Sequence, residues 1–351
     1  MRSESRPVRL AIAGFGLAGQ RHANAIRHVE NVSLSAIADP DPESRRLAAG
    51  HGLTTFEEFE DMLEADIADG VVLSTPTRLH AAQGRACIEC RCPVLIEKPL
   101  ATDVGSAREL VETAEHAQVA LLVGHHRRFN PLISKAREMI AGGGIGEIRA
   151  AHATCWFYKP DRYFDVSPWR KLRGAGPVSV NLVHDIDLIR HLCGEITSVQ
   201  AASVPSRRGF ENEDVAAAIL QFSNGAIGTM TVSDGIVAPW SWELTSSEYP
   251  IYPPTTESCY LIGGSHGSLS IPDLKIWSHP ESRDWWSPIS ATTVTRDFSD
   301  PLTNQIEHFA AVIRGEEIPL VSGRDGLRAL QVVDAIRRAS RSSAEISLPV
   351  D

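Results

Sequence analysis

The sequence predicts an α/β protein with an N-terminal Rossmann domain, a doubly wound parallel sheet, and a C-terminal α+β domain with a large, mostly antiparallel sheet. Three observations support this. Near the amino terminus a short apolar strand runs through G-x-G-x-x-G into a helical pattern. Buried apolar runs then alternate with helical patterns as far as Gly124, which is typical of a parallel sheet with right-handed crossovers. Between residues 199 and 271, strand-like runs follow one another without intervening helices, which indicates antiparallel pairing.

Composition limits the classes of function. The chain has 351 residues, of which 43% are hydrophobic and 22% charged, as expected of a soluble globular protein of two or three domains. Its formal net charge of −10 argues against nucleic acid and anionic membrane surfaces as partners. We find neither a run of the ~18 apolar residues that a membrane span needs nor a signal peptide. We therefore expect a cytoplasmic protein.

The six cysteines do not have the pattern of a disulfide framework in a chain of this length. Cys87, Cys90 and Cys92 cluster, which raises the question of a metal site. Cys87 and Cys90 fall in a helical pattern, however, and no second Cys or His pair stands at zinc-binding spacing. We expect reduced, partly buried thiols and no bound metal.

The glycine-rich turn after the first strand has the spacing of a dinucleotide-binding fingerprint. Gly14 permits the tight turn, Gly16 lets the backbone approach a pyrophosphate, and Gly19 lets the helix pack close to the strand. A second strand ends at Asp39, 20 residues beyond Gly19, where a ribose-binding carboxylate is expected. The predicted phosphate loop is Gly14, Phe15, Gly16, Leu17, Ala18 and Gly19, whose N–H groups face the phosphates at the helix start.

Two later strands of the parallel sheet end in polar loops. Ligands of doubly wound folds bind at the carboxyl edge of the sheet, so we expect both loops to contact the cofactor. A lysine at this edge can direct its ammonium group at a substrate oxygen. The third strand is followed by Ser74, Thr75, Pro76 and His80, and the fourth by Glu97, Lys98 and Pro99.

These motifs together resemble the Gfo/Idh/MocA family of NAD(P)-dependent oxidoreductases. The fingerprint, T-P-x-x-x-H and E-K-P are joined by Arg127-Arg128-Phe129, a helix with His184 and Asp187, and a closing Val321–Leu327 segment. The resemblance implies a Rossmann domain followed by an open-faced sheet, with the last helix packing back on the first domain. We expect domains at 1–124 and 125–323, with a returning helix at about 324–341.

The resemblance places the catalytic lysine at Lys98 and the catalytic histidine at His184. A histidine suits removal of the hydroxyl proton near neutral pH, while the lysine stabilises the developing alkoxide. The alternative for His184 is a structural pair with Asp187, one helical turn away.

One position departs from the family pattern. The family's frequent aspartate, four residues before the histidine, is Val180 here, and Asn181 stands three before. We expect one helix over Val178–Leu192, on which Asn181 shares a face with His184. An amide cannot ionise, so Asn181 would orient the substrate or the imidazole.

Aromatic and charged side chains suited to polyols follow the first strand of the second domain. Aromatic faces stack on sugar C–H surfaces, and arginine forks to vicinal hydroxyls. Trp240 and Trp242 form a second aromatic cluster, for which ordinary packing or a subunit contact is an equal alternative. The predicted substrate-binding residues are Asn181, Asp185, His126, Tyr158, Arg162, Trp169 and Arg170.

The predicted function is NAD-dependent oxidation of a secondary hydroxyl of a sugar, anhydrosugar or cyclitol. NAD is expected rather than NADP because Asp39 would repel a 2′-phosphate, although Arg45 and Arg46 stand close in sequence. Two alternatives remain: a redox-assisted glycoside hydrolase or isomerase with tightly bound NAD, and a non-catalytic NAD-binding sensor. An open-faced sheet leaves one face bare, so we expect a homodimer or homotetramer.

Overall fold

The computed structural model describes residues 6–349 and divides into two compact units. The first runs to Phe129 and resumes over Ser299–Leu330, and the second comprises Asn130–Phe298 and continues from Gln331. Residues 301–313, which the sequence analysis assigned to the second domain, therefore lie in the first unit. The division into functional domains at 1–124 and 125–323 remains a prediction.

The first unit is built on a six-stranded sheet. Its strands are β1 (Val8–Ala13), β2 (Val32–Ala38), β3 (Thr54–Phe56), β4 (Gly70–Leu73), β5 (Val94–Ile96) and β6 (Leu121–Val123). Their order is β3-β2-β1-β4-β5-β6, and all neighbouring pairs are parallel. The central strands are apolar because helices cover both faces of the sheet. This confirms the predicted Rossmann sheet.

Helices connect these strands, and their buried apolar side chains pack on the sheet. Asp41 and Asp103 cap the second and fifth helices by accepting hydrogen bonds from backbone N–H groups of the first turn. The two faces of the sheet have separate apolar cores. The helices are α1 (Leu17–Ile26), α2 (Pro42–Gly50), α3 (Phe59–Glu64), α4 (Thr77–Glu89) and α5 (Val104–Ala117), followed by a 3₁₀ turn, His126–Phe129.

The second unit contains a nine-stranded sheet. Its strands are β7 (Ile148–Trp156), β8 (Ile196–Pro205), β9 (Glu213–Phe222), β10 (Ile227–Ser233), β11 (Tyr260–Gly264), β12 (Gly267–Ile271), β13 (Lys275–Ser278), β14 (Ser290–Thr293) and β15 (Ile346–Ser347). The order is β14-β13-β12-β11-β7-β10-β9-β8-β15. Among the described residues, β7 and β10 are the single pair of this sheet that runs parallel, so the predicted mostly antiparallel sheet is confirmed. Along β9 buried and exposed residues alternate.

The helices of the second unit differ from the prediction at one point. The continuous helix predicted over Val178–Leu192 is wrong, because the chain breaks at Asn181, with φ −104° and ψ −59°. Asparagine favours helix caps over helix interiors. The elements are α6 (Pro131–Ala141), α7 (Asp161–Asp165), a 3₁₀ turn (Pro168–Lys171), α8 (Pro177–Val180), α9 (Leu182–Cys193) and α10 (Trp242–Thr245).

Two helices lie between β14 and β15 in the sequence, α11 (Pro301–Ile313) and α12 (Gly323–Ser342). α11 adds Leu302, Ile306 and Phe309 to the apolar core of the first unit. α12 belongs to the first unit as far as Leu330 and to the second beyond it. Across residues 6–349, no helix is both long enough and apolar enough to cross a membrane.

Candidate active site

The glycines of the fingerprint differ in what surrounds them. Gly14 has φ +84°, and a Cβ at Gly19 would lie 2.0 Å from the Gly14 carbonyl oxygen. These two positions require glycine for the fold itself. A Cβ at Gly16 would meet nothing within 4 Å, so the structure leaves open the space through which a pyrophosphate is expected to approach. Around them Phe15 is buried, Ala18 is half-buried and Leu17 is exposed.

Asp39 lies against this loop. Its Oδ2 accepts a hydrogen bond from the Phe15 N–H at 2.5 Å, and its Oδ1 accepts one from the Asp41 N–H at 2.8 Å. Two backbone donors therefore fix the carboxylate in orientation beside the glycine turn.

The two arginines near Asp39 are engaged elsewhere. Arg45 donates to the carbonyl oxygens of Asp39 and Pro40 at 2.8 and 2.9 Å. It also pairs with Glu57 at 3.1 Å. Arg46 forms an ion pair with Glu43. Both guanidinium groups thus have acceptors of their own, which reduces their use as ligands for a 2′-phosphate.

The loop after β4 is braced internally. The Ser74 hydroxyl donates to the Gly14 carbonyl oxygen at 2.8 Å, and the Thr75 hydroxyl donates to Gln83 at 2.6 Å. Pro76 precedes the first residue of α4. His80 is buried, with its ring nitrogens 2.8 Å from the Thr75 carbonyl oxygen and 2.9 Å from that of Pro99. His80 therefore ties this loop to the one that contains Lys98.

Glu97 anchors the E-K-P loop. Its Oε1 lies 2.7 Å from His22 Nε2, and its Oε2 accepts the Lys98 N–H at 3.1 Å. Burial raises the pKa of Glu97, but the hydrogen bond from His22 and the charges of His22, Lys98 and His126 outweigh it and bring the pKa to about 2. Glu97 is therefore an anion at neutral pH, directly preceding the predicted catalytic lysine.

Four residues thus come together in the first unit. Lys98 and His126 both act electrostatically on Glu97, and His22 is bonded to it. His22 is buried on α1, and the sequence analysis missed its role. Its position three residues beyond Gly19 was the available signal, but that spacing alone does not identify a partner.

In the second unit, His184 and Asn181 occupy the start of α9. The His184 N–H donates to the Asn181 carbonyl oxygen at 3.1 Å. The predicted shared helix face is replaced by a cap geometry, in which the Asn181 side chain turns to Lys159 and its Oδ1 accepts from Nζ at 2.6 Å. Asp185 is buried and accepts a hydrogen bond from the Tyr260 hydroxyl. Asp187 is also buried, 4.0 Å from Arg190.

Lys159 is a second residue that the sequence analysis did not select. Its side chain is buried, and Nζ lies 3.8 Å from Asp234 Oδ2. Burial lowers the pKa of Lys159, and the charge of Asp234 opposes this effect. Asp234 itself also pairs with Arg208 at 3.1 Å. The segment around Lys159 was noted for its polyol-binding residue types, but burial of this lysine is a tertiary property.

The other predicted substrate-binding residues lie on one segment. Tyr158 and Trp169 are 46% and 53% exposed, and Arg162 is exposed. Arg170 is more constrained, because its guanidinium lies 4.1 Å from the centre of the Tyr163 ring and donates to the Tyr163 carbonyl oxygen at 2.7 Å. The segment therefore presents two aromatic side chains and one arginine to solvent.

Trp240 and Trp242, which the sequence analysis left with alternative interpretations, differ in burial. Trp242 is buried and stacked on Tyr260, with ring centres 5.9 Å apart, so its contacts are those of core packing. Trp240 is 39% exposed and meets Trp156 edge-on at 5.7 Å.

The cysteines and the potential metal ligands do not form a second site among the described residues. All six cysteines are free, and burial raises the pKa of Cys87 and that of Cys92, the latter to about 11. Between residues 6 and 349, no three His, Cys, Asp or Glu side chains are grouped as a metal site would require.

Comparison with known proteins identifies the family. A model described as "Oxidoreductase family, NAD-binding Rossmann fold" matches residues 8–125, and one described as "GFO/IDH/MocA C-terminal domain" matches residues 133–270.

The chain is 26% identical to the rhizopine catabolism protein MocA of Rhizobium meliloti over 93% of each chain. It is also 26% identical to an inositol 2-dehydrogenase of Rhizobium meliloti (strain 1021), over 97% of this chain and 99% of the relative. Among solved structures, the WlbA dehydrogenase of Bordetella pertussis in complex with NADH and UDP-GlcNAcA has a TM-score of 0.79 at 26% identity, covering 99% of this chain and 100% of that one. The chain therefore belongs to the GFO/IDH/MocA family of oxidoreductases and has an NAD-binding Rossmann domain at its amino terminus.

Proposed function

We propose that the chain is an NAD-dependent dehydrogenase that oxidises a secondary hydroxyl of a sugar, anhydrosugar or cyclitol. The observation that supports this most is the placement of Lys98 directly after the ionised Glu97, at the carboxyl edge of the Rossmann sheet. Ligands of such sheets bind at this edge. The inositol 2-dehydrogenase of Rhizobium meliloti, which aligns over nearly the full chain, agrees with a cyclitol or sugar as the substrate class.

The residues of the first unit fit NAD. Open space at Gly16 admits a pyrophosphate, and the backbone N–H groups at the start of α1 would hold it. The oriented carboxylate of Asp39 would accept hydrogen bonds from the ribose hydroxyls. When bound, NAD supplies the acceptor for a hydride from the substrate carbon.

Two side chains would handle the proton and the charge at the substrate oxygen. The ammonium of Lys98 would hold that oxygen and stabilise the negative charge that develops on it. The imidazole of His184 would take the hydroxyl proton, because histidine is the side chain best suited to proton exchange near neutral pH. The substrate would be oriented by Asn181, Asp185, His126, Tyr158, Arg162, Trp169 and Arg170.

Steady-state turnover with NAD over a panel of sugars, cyclitols and anhydrosugars tests this function. We expect NADH to accumulate in a one-to-one ratio with a ketone product. Product formed without accumulation of NADH would instead favour a redox-assisted hydrolase or isomerase. Tight NAD binding without turnover of any compound would favour a sensor.

We also propose a homodimer or homotetramer formed through the sheet of the second unit. Its outward side chains include Ile219, Ile227 and Leu261, each about half exposed. Exposed apolar side chains on the open face of a sheet are typical of subunit contacts. Multi-angle light scattering at micromolar concentration should give at least twice the chain mass, and a monomer would contradict the proposal.

A further inference from the structure

A buried lysine without a role in the proposed mechanism lies between β7 and α7, and its side chain reaches the start of α9. Lys159 is 5% exposed, and burying an ammonium group costs stability unless the group is well paired. Its nearest carboxylate oxygen, on Asp234, is 3.8 Å away, a weak pairing for a buried ion. Its shortest contact is instead with a neutral group, the Asn181 amide oxygen at 2.6 Å. Nζ also lies 5.0 Å from the centre of the Tyr163 ring, and the hydrogen bond to Asn181 is the closest of these three contacts.

The contact determines which way the Asn181 amide faces. An ammonium group only donates hydrogen bonds, so the atom beside Lys159 has to be the amide oxygen. The amide nitrogen then points away from Lys159. Over residues 6–349 it has no hydrogen-bond partner, and it is not among the buried unpaired atoms, so it remains reachable from solvent.

We propose that Lys159 is a positioning residue that orients the Asn181 amide so that its NH₂ group donates to an acceptor oxygen of the substrate. This rests on the proposed function, because Asn181 stands three residues before the proposed base His184. The Asn181 side chain thereby offers a hydrogen-bond donor. The substrate oxygen that faces it must accept, so its own proton, if it has one, is directed elsewhere.

The surroundings allow the role of Lys159 to be separated from folding. Asp234 keeps Arg208 as a partner at 3.1 Å when Lys159 is replaced. Burial lowers the pKa of Lys159, which means that the charged form is disfavoured in the folded protein. Lys159→Met removes that cost while keeping a side chain of similar length. We therefore expect an unchanged or raised Tm, whereas a purely structural lysine would give a lower Tm.

Kinetics of single and double variants provide the main test. In Lys159→Met and in Asn181→Ala, KM for the substrate should rise about tenfold, the size of one lost hydrogen bond, with kcat within about twofold of the parent value. The double variant should have the KM of the worse single variant, since Lys159 acts through Asn181. Lys171→Met is the control, because Lys171 forms a more exposed ion pair with Asp165 at 3.0 Å in the same segment. A parental KM in Lys159→Met, or multiplied effects in the double variant, would overturn the proposal.

A second measurement separates this proposal from the proposed function. With ¹⁵N-asparagine labelling of the full chain, the side-chain NH₂ signal of Asn181 is identified by its absence in Asn181→Ala. Lys159→Met should shift that signal and Lys171→Met should not. If no compound is oxidised but the shift is seen, the proposed function fails while the orientation of Asn181 by Lys159 stands. If turnover is found and the signal does not move, the orientation proposal is wrong.

Discussion

Removing the negative charge of Glu97 should lower the free energy of unfolding, and the size of this loss follows from the pKa of Glu97. Glu97→Gln removes the negative charge and keeps one of the two acceptor oxygens that bind His22 Nε2 and the Lys98 N–H. The pKa of Glu97 lies at about 2 rather than at its ordinary 4.5. A difference of this size corresponds to about 3 kcal/mol of stability at neutral pH, since each pKa unit is worth about 1.4 kcal/mol.

The pH dependence has a definite sign. Because the pKa of Glu97 is depressed in the folded state, its contribution is complete above pH 4.5 and is lost as the pH falls towards 2. Glu97→Gln has no such contribution at any pH. The stability difference between the two proteins should thus be about 3 kcal/mol at pH 7 and smaller by about 1 kcal/mol at pH 3.5.

The assay has to report on the first unit. All seven tryptophans lie between Trp156 and Trp286, in the second unit, so tryptophan fluorescence would not report directly on Glu97. Pulsed hydrogen exchange across a urea series, read by mass spectrometry from peptides of α1 and β5, gives the unfolding midpoint where His22 and Glu97 lie.

Glu115→Gln is a matched control in the same unit. Glu115 pairs with Arg324 at 2.5 Å, but both side chains are about half exposed, so its loss should cost less than about 1 kcal/mol. If Glu97→Gln cost no more than this control at pH 7, or if its cost did not shrink at acid pH, the inferred electrostatic role of Glu97 would be refuted.

The remaining predictions concern the cofactor and the proposed chemistry. Gly19→Ala should weaken NAD binding at least tenfold in a fluorescence titration, because its Cβ would fall 2.0 Å from the Gly14 carbonyl oxygen; unchanged affinity would contradict this. Asp39→Ala should narrow the preference in kcat/KM for NAD over NADP, and a parent enzyme that prefers NADP would rule out the assignment. Lys98→Met and His184→Ala should each lower kcat by roughly 10²–10⁴ with little change in NAD affinity. A near-normal kcat in His184→Ala would indicate that another residue acts as the base, and Lys98 would be the first alternative to test.

Much of the first unit could be predicted from local sequence. The run Val8–Ala13 followed by glycines at 14, 16 and 19 has few physical solutions, since two of those glycines sit where a Cβ cannot fit. The short apolar strands and the caps at Asp41 and Asp103 are likewise local features. These features depend on backbone sterics and on the burial of residues close together in the sequence, so they can be predicted from the local residue pattern.

The pairing of buried polar groups could not be predicted in this way. His22 meets Glu97 across 75 residues of chain, and Lys159 reaches Asn181 across 22. The helix break at Asn181 is part of the same arrangement, because its side chain leaves the helix face for Lys159. By itself, the sequence determined the Rossmann sheet, the phosphate loop and the residue types available for chemistry. Tertiary structure decided which buried charge meets which partner, because the cost of desolvation is recovered only by atoms that the fold brings within hydrogen-bonding distance.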